Sequence, residues 1–419
     1  MAGAIASEEG ASLTIEKCEN KGKVSAIYPE KEFAENVAVG YVGGIGGWTS
    51  QSKVTIKDCK NSGTVIAGRA GAGGIIGHLD GKSTLSNCSN SGSVSAIRTA
   101  AGITGYLSDA TITGSSNTGV IETQEQCSGG IVGVTEIGTI ENCTNSGTIL
   151  GEVANGGIAG AIDGLESKVV NCSNTGNITA NNQQAGGIAG QGNGTIEKCK
   201  NSGEIHTANG GGGIVGLSGS NGLTIKDCEN RAKIESNNIA GGIISLVQLA
   251  NSPIINCKNY GEVISNTQQA GGIAGTTSGS VTDCYNEGKI ISNSTGMRGI
   301  TGGIVGLLTG TVTNSYNKGV ITTGEFADRP DLAGGIVGLL NGGTVSNSYN
   351  IGSVSGETIG AIVGENNSST PGTIANTYYY TTENIKGVAG LDDVAGQFEK
   401  TDVKLDTFEA FKNSSFYAK

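Results

Sequence analysis

The sequence predicts an all-β chain wound as a right-handed parallel β-helix, a solenoid of about twelve three-sided coils with a small C-terminal cap. Three observations predict it. A phrase of 27 to 33 residues recurs along most of the 419 residues. Each copy holds three short apolar stretches bounded by Gly or Asn, which is a strand signature and not a helical one. The composition, with 73 Gly, 4 Pro, 1 Trp and 4% aromatics, cannot fill one thick globular core.

The units align on the pattern C-x-N-x-G. Cys18, Cys59, Cys88, Cys143, Cys172, Cys199, Cys228, Cys257 and Cys284 share one slot, Ser115, Ser315 and Ser348 fill it elsewhere, and a degraded unit sits at Thr377. Three residues before the slot stands an aliphatic, as in Ile15, Ile56, Leu85 and Val345; six after it stands another, as in Val65, Val94 and Ile321. A third follows paired glycines, as in Ile75, Ile131 and Ile304. One unit has too few aliphatics to bury a face alone, so like slots are expected to stack, with backbone pairing along the rod. Parallel crossovers favour right-handed winding.

The remaining fixed positions follow from that stack. The paired glycines are expected to permit positive φ and close backbone packing at a corner. The Asn of C-x-N-x-G is expected to adopt the left-handed region and to bond the next Asn along the rod. A slot that accepts Cys or Ser wants a small side chain, so an inward ladder of reduced thiols is expected, with Cys127 outside it in a loop. The segment 1–377 forms the repeat region and 378–419 a cap or junction, in which KLDTFEAFKNSSF suggests a short helix from Asp406 with Phe408 and Phe411 on one side.

At the phrases GGIVGLLTG, GGIVGLLNG and GGIVGLSGS, each followed by a segment of the TVTNSYNKG type, the chain resembles the GLUG repeats of bacterial immunoglobulin A metallopeptidases and adhesin-like surface proteins; loosely scored, the likeness runs from residue 12 to about 377. The resemblance implies a spacer or adhesion module beside a catalytic domain. The H-E-x-x-H zinc signature of those peptidases is absent, and His78 and His206 are the two histidines of the chain, so no peptidase site carries over.

Charge and motifs narrow the function. A net charge of −11 without a basic run disfavours nucleic acid and anionic membranes, and no apolar window is long enough to insert in a bilayer. Zinc spacings are missing, and no cofactor is expected. Gly211, Gly213 and Gly216 satisfy G-x-G-x-x-G, but in a strand-like repeat and not before a helix. Calcium has only Asp328 and Asp331 as incidental positions, and a threonine array for ice binding does not persist from unit to unit. For a polysaccharide-active β-helix enzyme, carboxylates would have to pair on adjacent coils; Asp58, Asp227 and Asp283 recur before the Cys slot with Lys198 and Asn256 between them. They are expected to be solvated surface charge, as are Glu16, Glu141 and Glu197.

A regular wall recognises partners through breaks in its regularity. Val24 to Gly43 takes 19 positions, Ile290 to Gly302 takes 12 and Ile321 to Gly334 takes 13, where most units use 6 to 8. These insertions fall at one corner and bring Tyr28, Phe33, Met297, Arg298, Phe326 and Arg329, the candidate ligand contacts, with the last two insertions on consecutive coils. The expected function is a non-catalytic, cell-surface or secreted bacterial module for adhesion or display, binding a host or extracellular glycan or protein. The alternative is the spacer or substrate-positioning region of an immunoglobulin A metallopeptidase, and a weaker third reading is the polysaccharide-active enzyme. Met1 leads directly into repeat-like sequence, so signal, anchor and any peptidase domain are expected to lie outside this chain.

Overall fold

Short β-branched stretches separated by turn residues cannot pair with their own neighbours, and in the structure they pair with their counterparts one unit away. The computed structural model describes residues 4–6, 12–26, 40–50, 53–69, 71–294, 297–324, 329–380, 385–389 and 398–400, and among them there is no helix. The chain is a parallel β-solenoid of about 11 turns with three sheets. The two narrow sheets hold twelve strands each, one per expected coil, and eleven steps separate the first from the last.

One coil shows the path. Thr84–Ser86 and Ser89–Asn90 lie in the broad sheet, Val94–Ala96 in the second, Thr99–Ala101 in the third, and Thr104–Thr113 returns to the broad sheet. Register is kept slot for slot: Val94 pairs with Val65 on one side and Ile121 on the other. The aliphatic columns point inward, with Ile56, Leu85, Ile112, Val65, Val94, Ile75 and Ile131 no more than 1% exposed.

The interior has two lobes, one behind the broad sheet and one between the narrow sheets. A polar seam divides them. Asn20, Asn61, Asn90, Asn117, Asn145, Asn174, Asn201, Asn230, Asn259, Asn286, Asn317 and Asn350 form a continuous ladder in which each Nδ2 donates to the Oδ1 of the next Asn at 2.6 to 3.0 Å. Each amide also closes its own turn, as Asn117 does with the Gly119 carbonyl (2.9 Å) and N–H (3.2 Å), so the buried amides are satisfied.

Two expectations about backbone need correction. The ladder Asn is not left-handed; the residue before the Cys slot is, with φ between +49° and +58° at Lys17, Asp58, Asn87, Gly114, Asn142, Asn171, Lys198, Asp227, Asn256, Asp283, Asn314, Asn347 and Asn376. Asp and Asn bear that conformation well, which explains why Asp58, Asp227 and Asp283 recur there. The paired glycines do not take positive φ either. The second glycine of the pair is required by space: a Cβ on Gly130 would lie 2.0 Å from the Gly157 carbonyl and 2.5 Å from Asn145 Cγ, so the glycine corner closes directly on the amide ladder and pinches the two lobes apart.

The expected thiol ladder is present. Cys59, Cys88, Cys143, Cys172, Cys199, Cys228, Cys257 and Cys284 are no more than 1% exposed, and all ten cysteines are free. Cys143 Sγ donates to the Glu141 carbonyl at 3.3 Å, and the Ser115 hydroxyl makes the same bond to Thr113 at 3.1 Å, so either residue serves the slot. Beyond residue 377 the stacking goes on: Thr373–Tyr379 pairs with Phe398–Lys400, and Ile362 N–H donates to the Gly387 carbonyl at 2.9 Å. The expected helix from Asp406, with Phe408 and Phe411, lies outside the described residues.

Candidate functional site

The three insertions leave the wall at one corner, between strands of the second and third sheets. They join Val24–Ala26 to Val42–Gly43, Ile290–Ser292 to Ile300–Gly302, and Ile321–Thr323 to Leu332–Gly334. Tyr28, Phe33, Phe326 and Asp328 lie outside the described residues.

The second and third insertions are fastened to each other. Arg298 Nε donates to the Pro330 carbonyl at 2.6 Å, and its guanidinium pairs with Glu365 at 2.7 Å with the side chain only 17% exposed. Asp331 is fully buried and accepts from Gly299 N–H at 2.7 Å and from the Ser294 hydroxyl. Its own N–H donates to the Glu357 carboxylate at 3.0 Å. Both Asp331 oxygens thus hold loop donors, which gives that carboxylate a structural role in place of a cation site. Arg298 is a strut. What faces solvent is Met297, 52% exposed, with Arg329 and Pro330. Gln268 Nε2 donates to Met297 Sδ at 3.0 Å and holds the thioether against the preceding coil.

Elsewhere the chemistry is quiet. Burial pushes the Cys88 thiol up to about 12, and burial with the Asp163 charge does the same to Cys127, so neither is a thiolate nucleophile near neutral pH. Cys127 lies in a loop, as expected, immediately before the strand Ser128–Gly129. Gly211, Gly213 and Gly216 belong to the repeat, on and between the strands Gly210–Gly212 and Val215–Lys226. Glu16 pairs with Lys57 of the next coil at 2.7 Å on the surface. Among the described residues no group of three His, Cys, Asp or Glu is placed to hold a metal ion.

Two aromatic groups on the outside of the broad sheet escaped the reading of the sequence. Trp48, His78 and Tyr106 are register partners on three successive coils, two residues after the Ile-x pair that follows the glycines. Tyr285, Tyr316 and Tyr349 occupy the middle position of C-x-N or S-x-N and stack with ring centroids 4.8 and 4.9 Å apart. Adding each outward slot to the aligned units would have found both.

The GLUG motif matches residues 68–95 and 124–150. The chain carries the GLUG motif. Both matched segments contain a third-face corner and the strands around it. A comparison with curated proteins returns no match. Among solved structures, a candidate immunoglobulin A1 protease from Bacteroides ovatus is similar at 22% identity over 48% of this chain and 69% of that one, with a TM-score of 0.35. Nothing about function follows from likeness at that level.

Proposed function

We propose that the chain is a non-catalytic β-solenoid module of a secreted or cell-surface bacterial protein, used for adhesion or display. It presents the corner between the second and third sheets to a host or extracellular glycan or protein. The observation that carries this is the fastening of two insertions on consecutive coils by Arg298 and Asp331, on which Met297 and Arg329 remain exposed. Rigid presentation lowers the ordering cost of binding. The net charge of −11 supports a partner other than nucleic acid, and no helix among the described residues is long and apolar enough to cross a membrane.

The test is a Met297→Ala/Arg329→Ala double variant, since deleting the whole loop would also remove the buried Asp331. Binding to arrayed glycans and to extracellular matrix proteins should fall at least tenfold while the melting profile is unchanged; equal binding by the variant rejects the patch. A second reading, a spacer that positions a peptidase domain, is favoured by the GLUG motif itself. A parent sequence carrying H-E-x-x-H downstream would select it.

A further inference from the structure

The cluster around Trp48 has the chemistry of a ligand platform, and it lies on the broad sheet, away from the corner patch. Trp48 is the single tryptophan of the chain and is 41% exposed. Tyr41 stacks beside it with ring centroids 6.3 Å apart and planes 24° from parallel, and packs on His78 at 4.6 Å and edge-on to Tyr106 at 5.4 Å. The rings are held in place: the Tyr106 hydroxyl bonds Thr99 Oγ1 at 3.1 Å. Gly71 leaves the space they fill, because a Cβ there would come 2.5 Å from the Tyr106 ring and 3.2 Å from Tyr41. Burial lowers the His78 pKa, so the imidazole is neutral near pH 7 and behaves as a further aromatic face.

We propose that Tyr41, Trp48, His78 and Tyr106 form a stacking subsite for an uncharged oligosaccharide. A pyranose presents a face of polarised C–H groups, which suits the negative face of an indole, and equatorial hydroxyls that need hydrogen-bond partners at the rim. The surroundings are acidic: the charges of Asp80 and Glu136 are near enough to act on Tyr41 and His78, and Glu136, which is exposed, accepts from the Ser108 hydroxyl at 3.0 Å. Those carboxylates repel uronic acids, sialic acids and phosphates, and Arg98, the cation that acts on Tyr106, is already paired with Glu125 at 3.9 Å, so the occupant is neutral. Three coils, separated by two steps of about 4.8 Å, give a platform about 10 Å long, enough for a short sugar segment. A stable protein interface buries roughly 800 Å² per partner, far more than a few ring faces offer. The next positions in the column, Val134 and Ala161, carry no ring, and the platform ends there.

Trp48 is its own reporter. The intact chain is titrated with cellotetraose, mannotetraose, maltotetraose and chitotetraose, with trigalacturonate as the acidic probe, following tryptophan emission to about 10 mM because single-sugar stacking is expected to give millimolar affinity. At least one neutral tetraose should quench and blue-shift the emission saturably, and trigalacturonate should not. Tyr41→Ala, which keeps the reporter, should weaken binding at least fivefold, and Arg329→Ala should bind as wild type does, which separates this site from the corner patch. Trp48→Ala, read by saturation-transfer NMR with the same tetraose, should lose the signal; it serves if Tyr41→Ala fails to fold. No response to any neutral tetraose, an equal response in Tyr41→Ala, an equal response to trigalacturonate, or an emission shift that depends on protein concentration without sugar would each overturn the proposal.

Discussion

The two aromatic groups on the broad sheet are built by one rule and reach opposite ends. Around Tyr285, Tyr316 and Tyr349, identical residues stand in one slot on consecutive coils, so the rings lie within 7° of parallel at the spacing of the rungs and cover each other's faces. Lys258 lies over the Tyr285 ring at 5.3 Å, Lys318 over Tyr316 at 5.4 Å, and Arg231 over Tyr260 at 4.5 Å, covering further ring face. Around Trp48 the slot holds Trp, His and Tyr in succession, the planes of the His78 and Tyr106 rings lie 73° apart, and the indole stays 41% exposed. Repetition of one side chain makes a strut; variation in the same kind of slot makes a surface that can bind.

The largest test of this contrast lies directly beneath the stack. Asn317→Ala removes the bond to Asn350 and the one received from Asn286, both 2.8 Å, and leaves buried amide groups unpaired. Local stability should drop by about 2–4 kcal/mol, read by hydrogen exchange of the flanking coils. Asn174→Ala breaks equivalent bonds where the outward neighbour is Ser173. If the tyrosines brace their coils, the change at 317 is the milder of the two; equal losses would show that the stack contributes nothing. Tyr316→Ala itself should cost about 1–3 kcal/mol through two lost ring pairs, whereas Leu in its place should recover part of this.

How far the sequence revealed these features depends on what each slot demands. The aliphatic columns and the Asn ladder were legible because the interior accepts one answer: each Asn must meet another Asn above and below. The thiol column was legible as a small-residue slot for the same reason. The left-handed position was hidden because Asp, Asn, Lys and Gly all satisfy it, so no single letter repeats. The role of the glycine pair was hidden because the amide ladder that fills the space opposite it is far away in sequence. The platform was invisible for a related reason: Trp48, His78 and Tyr106 are 28 to 30 residues apart and chemically unlike, and only the register joins them. Of the candidate ligand contacts, Arg298 is a strut because Glu365, two coils on, lies within reach.

At the platform the expected effects are smaller. Gly71→Ala forces a Cβ into the Tyr106 ring, and should cost about 1–3 kcal/mol while shifting Trp48 emission, since Tyr41 must move with Tyr106. Gly210 occupies the equivalent position several coils away, where a Cβ would meet the Ser245 hydroxyl and no ring. Gly210→Ala should therefore leave emission unchanged; a shift there would mean the emission reports the whole rod and not the cluster.

The smallest effect separates the two groups by pH. Burial holds the folded His78 pKa below its ordinary value of about 6.5, with Asp80 and Glu136 opposing that shift only in part. Below that ordinary value the unfolded chain takes up a proton that the folded cluster resists, so stability falls as pH drops towards the lower folded pKa. Tyr260 behaves in the opposite sense: burial and then its bond to the Tyr285 hydroxyl push the phenol up to about 12. The folded chain keeps that proton while the unfolded one releases it near pH 10, so stability is lost as pH rises from about 10 towards 12. Melts followed by Trp48 emission should fall between about pH 7.5 and about pH 5 by more than the carboxylates alone produce, and His78→Phe should remove the excess. Hydrogen exchange in the coils around Tyr285 should be indifferent to His78→Phe and respond instead on the alkaline side, with Tyr260→Phe removing the response. If His78→Phe leaves the acid limb of the Trp48 melts unchanged, the imidazole is not enclosed by the rings and the distinction between an open cluster and a closed stack loses its electrostatic half.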